Sequence, residues 1–169
     1  VRCSLIDIDH VSYRLIQHPR EFDVVVAPNL FDDVLSDLGG VLLGSRGLCF
    51  AGSFAANGDA VYSTNHGAAY DLAGTNRANP VAQILSLAML LRESFHLSKE
   101  ARQIEEAVVR VWRDGWRTAD LMEPGCRLLG TREMGQQIAE KVAHWTESGE
   151  RLMPSPRPAE SMAAVGEAV

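Results

Sequence analysis

The sequence is poor in cysteine, aromatic residues and base, and it has no long apolar run. Its three cysteines (Cys3, Cys49 and Cys126) stand far apart in 169 residues, without the paired spacing of a metal site. An odd, scattered set is the pattern of reduced thiols, so a cytoplasmic location is expected. Apolar stretches are broken by Arg, Glu, Asp or Ser within about ten residues, short of the roughly 20 that a bilayer-spanning helix needs, so no membrane partner is expected. No charged segment leads into an apolar one at the start, and a secretory signal is not expected either. Sixteen basic against 22 acidic side chains leave a net charge of −6. That balance argues against nucleic acid as a partner, since phosphate contacts need a basic face.

The remaining composition, 46% hydrophobic and 22% charged, is that of a folded domain or of part of a larger one. The chain opens with Val1, and Val1 to Ile6 is apolar and β-compatible with no turn residue ahead of it. A fragment or a split gene is therefore expected. Val11, Leu15 and Ile16 share a helical face that Pro19 ends. Residues 22–27 (Phe-Asp-Val-Val-Val-Ala) read as a buried strand. Asn29 suits the cap of a helix reaching Leu43, with Leu30, Phe31, Val34, Leu35, Leu38, Val41 and Leu42 apolar. Residues 44–79 are rich in Gly, Ala, Ser and Asn and read as turns, short strands and binding loops. Three amphipathic helices follow: from Pro80 to about 95, from a Ser98 cap to about Trp116, and from a Thr131 cap to about 144. Residues 146–169, with Pro154, Pro156 and Pro158, read as a flexible tail. The class is α/β and helix-rich.

Two places carry chemistry. Asp33 and Asp37 are one turn apart, so their carboxylates share a helix face, and no Lys or Arg lies within that helix. They are either two solvated acids near a helix N-terminus or two ligands of a hard divalent cation. The second place is the small-residue loop His66-Gly67-Ala68-Ala69-Tyr70-Asp71-Leu72-Ala73-Gly74, followed by Ala78-Asn79-Pro80. Such a loop is either a tight structural turn or a cradle in which backbone amides meet a phosphate or sugar. An aspartate there can accept hydrogen bonds from both ribose hydroxyls of NAD while repelling the 2′-phosphate of NADP.

Taken together, these segments resemble the β-decarboxylating dehydrogenases, the isopropylmalate and isocitrate dehydrogenase family. Asn29-Leu30-Phe31-Asp32-Asp33-Val34-Leu35-Ser36-Asp37 is similar to the family's metal helix, with Asp32 in place of Gly. His66 to Gly74 is similar to its cofactor loop, with Ala78-Asn79-Pro80 after it. Arg117-Thr118-Ala119-Asp120-Leu121 and Gly130-Thr131-Arg132-Glu133-Met134 resemble its C-terminal pattern, in the right order. Several motifs in register are more specific than any one alone.

The resemblance implies the C-terminal half of a two-domain subunit. Residues 1–43 would belong to the dimerisation and metal-binding domain, and 44–145 to the cofactor-binding domain. It implies Mg²⁺ or Mn²⁺ at Asp33 and Asp37. Asp9, counted back from Phe22-Asp23, would be a third ligand that reaches into a partner subunit's site. His66, Gly67, Ala68, Ala69, Asp71, Leu72 and Asn79 fall on cofactor positions, with NAD favoured by Asp71. The activity implied is oxidative decarboxylation of a malate-type 2-hydroxy acid by a homodimer, or by a pair with a homologous subunit. Three features depart from the pattern: Ser63-Thr64-Asn65 replaces Glu-Pro-Val, Tyr70 replaces Pro, and the family's catalytic Tyr and Lys would lie upstream of Val1. The chain alone is thus expected to be inactive. A non-catalytic regulatory subunit and one half of a split enzyme are the alternatives.

Overall fold

The computed structural model describes residues 3–145, and the tail expected at 146–169 lies outside them. Helix α1 (Ile8–Gln17) ends before Pro19 and packs against α2 (Asn29–Leu42). A 3-10 turn over Arg46–Leu48 leads into the hairpin of β1 (Phe50–Phe54) and β2 (Ala60–Thr64). Its antiparallel register pairs Gly52 with Tyr62, and Gly58 supplies the left-handed turn at φ +93°. The loop beyond β2 contains a 3-10 turn over Tyr70–Leu72, and α3 (Val81–Glu93) and α4 (Ser98–Arg113) follow. Two-residue strands β3 (Trp116–Arg117) and β4 (Arg127–Leu128) pair in parallel, and α5 (Thr131–Ala143) completes the described chain. The fold is α/β and helix-rich.

The core lies among α3, α4 and α5. Val81, Ala107, Val108, Val111, Met134 and Ile138 are buried there, with Ile84, Leu85, Trp112 and Val142 packed around them. The spacing of these residues is what the helical pattern requires. Glu106 is also buried, and its carboxylate accepts a hydrogen bond from Trp145 Nε1 at 3.1 Å. The hairpin rests on α3. A Cβ on Gly52 would come 2.9 Å from Met89 Sδ, and the buried Ser86 hydroxyl donates to the Ser63 carbonyl at 2.8 Å.

The strand expected at 22–27 does not form. No strand pairs with this segment among the described residues, and Val24 and Val26 stand 81% and 92% exposed. A lone extended segment has no ladder to satisfy its backbone, so β-branched composition is not enough. The expected caps are also corrected. Asn29, Ser98 and Thr131 are the first helical residues, and no side-chain cap bond is made at the preceding position. At α5 the cap comes from far away: Asn76 Oδ1 accepts the Arg132 N–H at 2.9 Å and its carbonyl accepts the Thr131 N–H at 3.0 Å. Helix α4 stops at Arg113, short of Trp116, with Gly115 in the left-handed region just beyond it.

Candidate functional site

The seven loop residues singled out from the sequence meet in one place. His66, Gly67, Ala68, Ala69, Asp71, Leu72 and Asn79 all line a pocket of about 480 Å³, within the usual size of small-molecule sites. Its wall bends sharply at Ala69, a non-glycine residue at φ +44°. The nitrogen Nδ1 of His66 lies 2.9 Å from the Gly67 carbonyl and donates to it, which orients the ring. Asp71 is exposed on the 3-10 turn. Asn79 does two jobs: its Oδ1 accepts the Val81 N–H at 3.0 Å, capping α3, while its Nδ2 donates to Asp120 Oδ2 at 3.0 Å.

The pocket also has walls that the sequence reading did not assign. Ser45, Arg46, Gly47, Arg77 and Asp120 line it as well. Ser45 Oγ donates to Asp120 across 75 positions of chain, and it accepts the Gly47 N–H at 3.0 Å, so one hydroxyl holds the turn and the carboxylate together. Gly47 is there because space demands it: a Cβ would come 2.7 Å from Asn79 Cβ. Partial burial pushes the Asp120 carboxyl up. The hydrogen bonds of Ser45 and Asn79, with that of the Asp120 backbone, outweigh it together and hold the group below its usual value. The signal available in the sequence was the Arg117–Leu121 motif itself, whose acid was noted without a role. Arg77, six positions from Asp71 in sequence, shares its pocket.

The carboxylates expected to hold a metal are less gathered. Asp33 and Asp37 lie one turn apart on α2, with Asp33 exposed. Asp9 is exposed on α1 and its Oδ1 accepts the His10 N–H at 2.8 Å. Among the described residues, no group of three or more His, Cys, Asp or Glu side chains is placed to hold a metal ion. Asp37 is moreover compensated, contrary to the expectation from its own helix. Arg46 Nη2 lies 2.9 Å from Asp37 Oδ2. The cation comes from the turn after the helix, which a search within the helix does not reach. Cys49 sits beside this pair, and partial burial together with the Asp37 charge pushes its thiol up, so it stays neutral.

The lining of the pocket, with small residues and an exposed aspartate on one wall, is chemically compatible with part of a dinucleotide. Two carboxylates also have the hard oxygen donors suited to Mg²⁺ or Mn²⁺ that keep part of their water. One oxygen of Asp37, Oδ2, is engaged by Arg46.

Residues 2–138 match the isocitrate/isopropylmalate dehydrogenase family. The chain belongs to this family. It is 44% identical over 138 residues to the 3-isopropylmalate dehydrogenase of Cupriavidus metallidurans, a match covering 82% of this chain and 39% of that protein. It is 45% identical over 139 residues to the 3-isopropylmalate dehydrogenase of Geobacillus kaustophilus, covering 82% and 38%. The crystal structure of isocitrate dehydrogenase from Methylococcus capsulatus aligns with a TM-score of 0.74 at 38% identity, over 80% of this chain and 39% of that one. The chain thus spans about two fifths of the length of these dehydrogenases. No described helix is long and apolar enough to cross a membrane.

Proposed function

We propose that this chain is the C-terminal part of an NAD- and divalent-metal-dependent dehydrogenase that oxidises and decarboxylates a malate-type 2-hydroxy acid. The observation that carries this reading is the convergence of all seven expected cofactor residues on one pocket. In this reading residues 1–43 belong to a dimerisation and metal-binding domain and 44–145 to a cofactor-binding domain, in a cytoplasmic homodimer or a pair with a homologous subunit. Such a reaction removes a hydride from C2 and passes the hydroxyl proton to a base, and the β-carboxylate departs as CO₂ with a proton taking its place. A bound dinucleotide would supply the hydride acceptor and a bound divalent ion would supply charge stabilisation at the substrate oxygen.

This chain's own residues bind and orient. Gly67, Ala68 and Ala69 let the loop backbone approach the dinucleotide closely. Asp71 accepts hydrogen bonds from the adenosine ribose hydroxyls and repels a 2′-phosphate. Asn79 ties the loop to α3 and, through Asp120, to the 45–47 turn. Asp33 and Asp37 offer oxygens to the divalent ion, and Asp9 reaches the corresponding ion of a second copy. Proton transfer is assigned to groups outside this chain, as the absence of the family's Tyr and Lys motifs from it supports.

Calorimetric titration of the purified chain with NAD⁺ and NADP⁺ tests the pocket. NAD⁺ should bind more tightly, and Asp71→Asn should shrink the difference; tighter binding of NADP⁺ would overturn the role given to Asp71. The same preparation should form no NADH, followed at 340 nm, from isopropylmalate, isocitrate, malate or tartrate with Mg²⁺ or Mn²⁺. Turnover would show that the proton-transfer groups lie within the 169 residues.

A further inference from the structure

Arg46 belongs to two places at once. Its guanidinium is 2.9 Å from Asp37, while the residue lines the pocket formed by the 66–72 loop. The stem of the side chain is seated, since Arg46 Cγ lies where a Cβ on Gly40 of α2 would come within 3.3 Å of it. The turn beneath it is fixed by the Gly47 N–H to Ser45 Oγ bond. The head is not seated: the Arg46 side chain is 57% exposed and its partner's is 44% exposed. An exposed ion pair of this kind is worth only about 0.2–1 kcal/mol, so the head can leave Asp37 at little cost.

We infer that Arg46 is a built-in counter-ion that competes with a divalent cation for Asp37, and that an anion in the pocket relieves the competition by drawing Arg46 toward itself. The inference rests on the reading of Asp33 and Asp37 as cation ligands and of the pocket as a dinucleotide site. With Arg46 on Asp37, one of the two carboxylates is already neutralised and its Oδ2 is engaged. A pyrophosphate in the pocket offers the guanidinium stronger, bidentate acceptors. Cation and dinucleotide then favour one another through a single side chain. Linkage requires the effect to be reciprocal, so whatever factor NAD⁺ confers on cation affinity, the cation confers on NAD⁺. A leucine at this position would keep the packing against Gly40 and remove the coupling.

The experiment is Mn²⁺ binding to the full chain, read from the loss of the free-ion electron paramagnetic resonance signal, with and without saturating NAD⁺. Wild type should bind Mn²⁺ weakly alone, and up to about fivefold more tightly with NAD⁺, the ceiling set by losing an exposed ion pair. Arg46→Leu should bind Mn²⁺ up to about fivefold more tightly without NAD⁺, and NAD⁺ should then add nothing. Asp37→Asn should weaken Mn²⁺ binding in both backgrounds. Circular dichroism of Arg46→Leu should match wild type, because the charged head is exposed. Equal Mn²⁺ affinity in wild type and Arg46→Leu, with Asp37→Asn still weakening it, would overturn the counter-ion role and leave the cation site standing. Mn²⁺ binding that is absent from both, or indifferent to Asp37→Asn, would overturn the cation reading and the inference with it.

Discussion

In α2 seven apolar side chains follow helical spacing, yet of these only Leu35 is buried, while Leu30, Val34 and Val41 are 72%, 54% and 65% exposed. In α3, α4 and α5 similar spacing puts Val81, Val108, Val111, Met134 and Ile138 into a closed core. The two regions do not differ in how apolar their stripes are. They differ in whether a second apolar surface is supplied by the same stretch of chain. A helix face contributes hydrophobic stabilisation only when something removes it from water, and two helices joined by an unpaired segment cannot enclose a core. Three helices, with α4 packed on both α3 and α5, can. The exposed side of α2 and the extended 22–28 segment therefore carry apolar surface that the described residues leave uncovered.

Hydrogen exchange should show the contrast at its largest. Amides of Val108 and Val111 should exchange only through global opening, slowed by at least about a thousandfold for a domain worth a few kcal/mol. Those of Val24 to Val26 should exchange near the rate of an unstructured chain. Comparable protection in both would mean that residues 22–27 pair with a strand from another copy.

Side-chain truncation is the next largest effect. Met134 is fully buried, and Met134→Ala should destabilise the chain by about 2–5 kcal/mol in urea unfolding. Val34→Ser, on the open face of α2, should stay within about 0.5 kcal/mol and raise solubility. A large loss from Val34→Ser would show that the face is covered in solution.

The smallest effect belongs to the contact between the regions' boundary and the pocket. Asp120 is held below its usual ionisation range, so its bonds to Ser45 and Asn79 contribute most when it is charged. A carboxyl depressed in the folded state stabilises above its unfolded value, and that contribution fades as pH falls through the folded one. Asp120→Asn should cost about 1 kcal/mol near neutral pH, with the difference from wild type beginning to shrink below about pH 4 and disappearing only as pH falls through the lower folded-state value. A difference that persists unchanged into acid would mean that the carboxylate charge is not what holds the turn.

Much of this was legible in the sequence. The starts of α2, α4 and α5 follow from apolar periodicity within one residue, and the loop residues that line the pocket are neighbours in the chain. The strand expected at 22–27 does not form because a β-branched run reports on side-chain preference and not on whether a neighbouring strand exists. The sequence gives Asp120 no role because its partners Ser45 and Asn79 are 75 and 41 positions away.

What the sequence by itself determined is what neighbouring residues decide among themselves: helical stripes, the small-residue loop and the pairing of Asp33 with Asp37 on one face. Only the tertiary structure decided that Arg46 would neutralise Asp37, that Arg77 and Asp120 would join the loop in one pocket, and that Asn76 would cap α5. The reason is physical. Periodicity and spacing are set by backbone geometry over a few residues, whereas these contacts exist because helices pack at particular positions and bring distant turns together. A charge in one turn cannot be assigned a partner until the path of the chain between them is fixed.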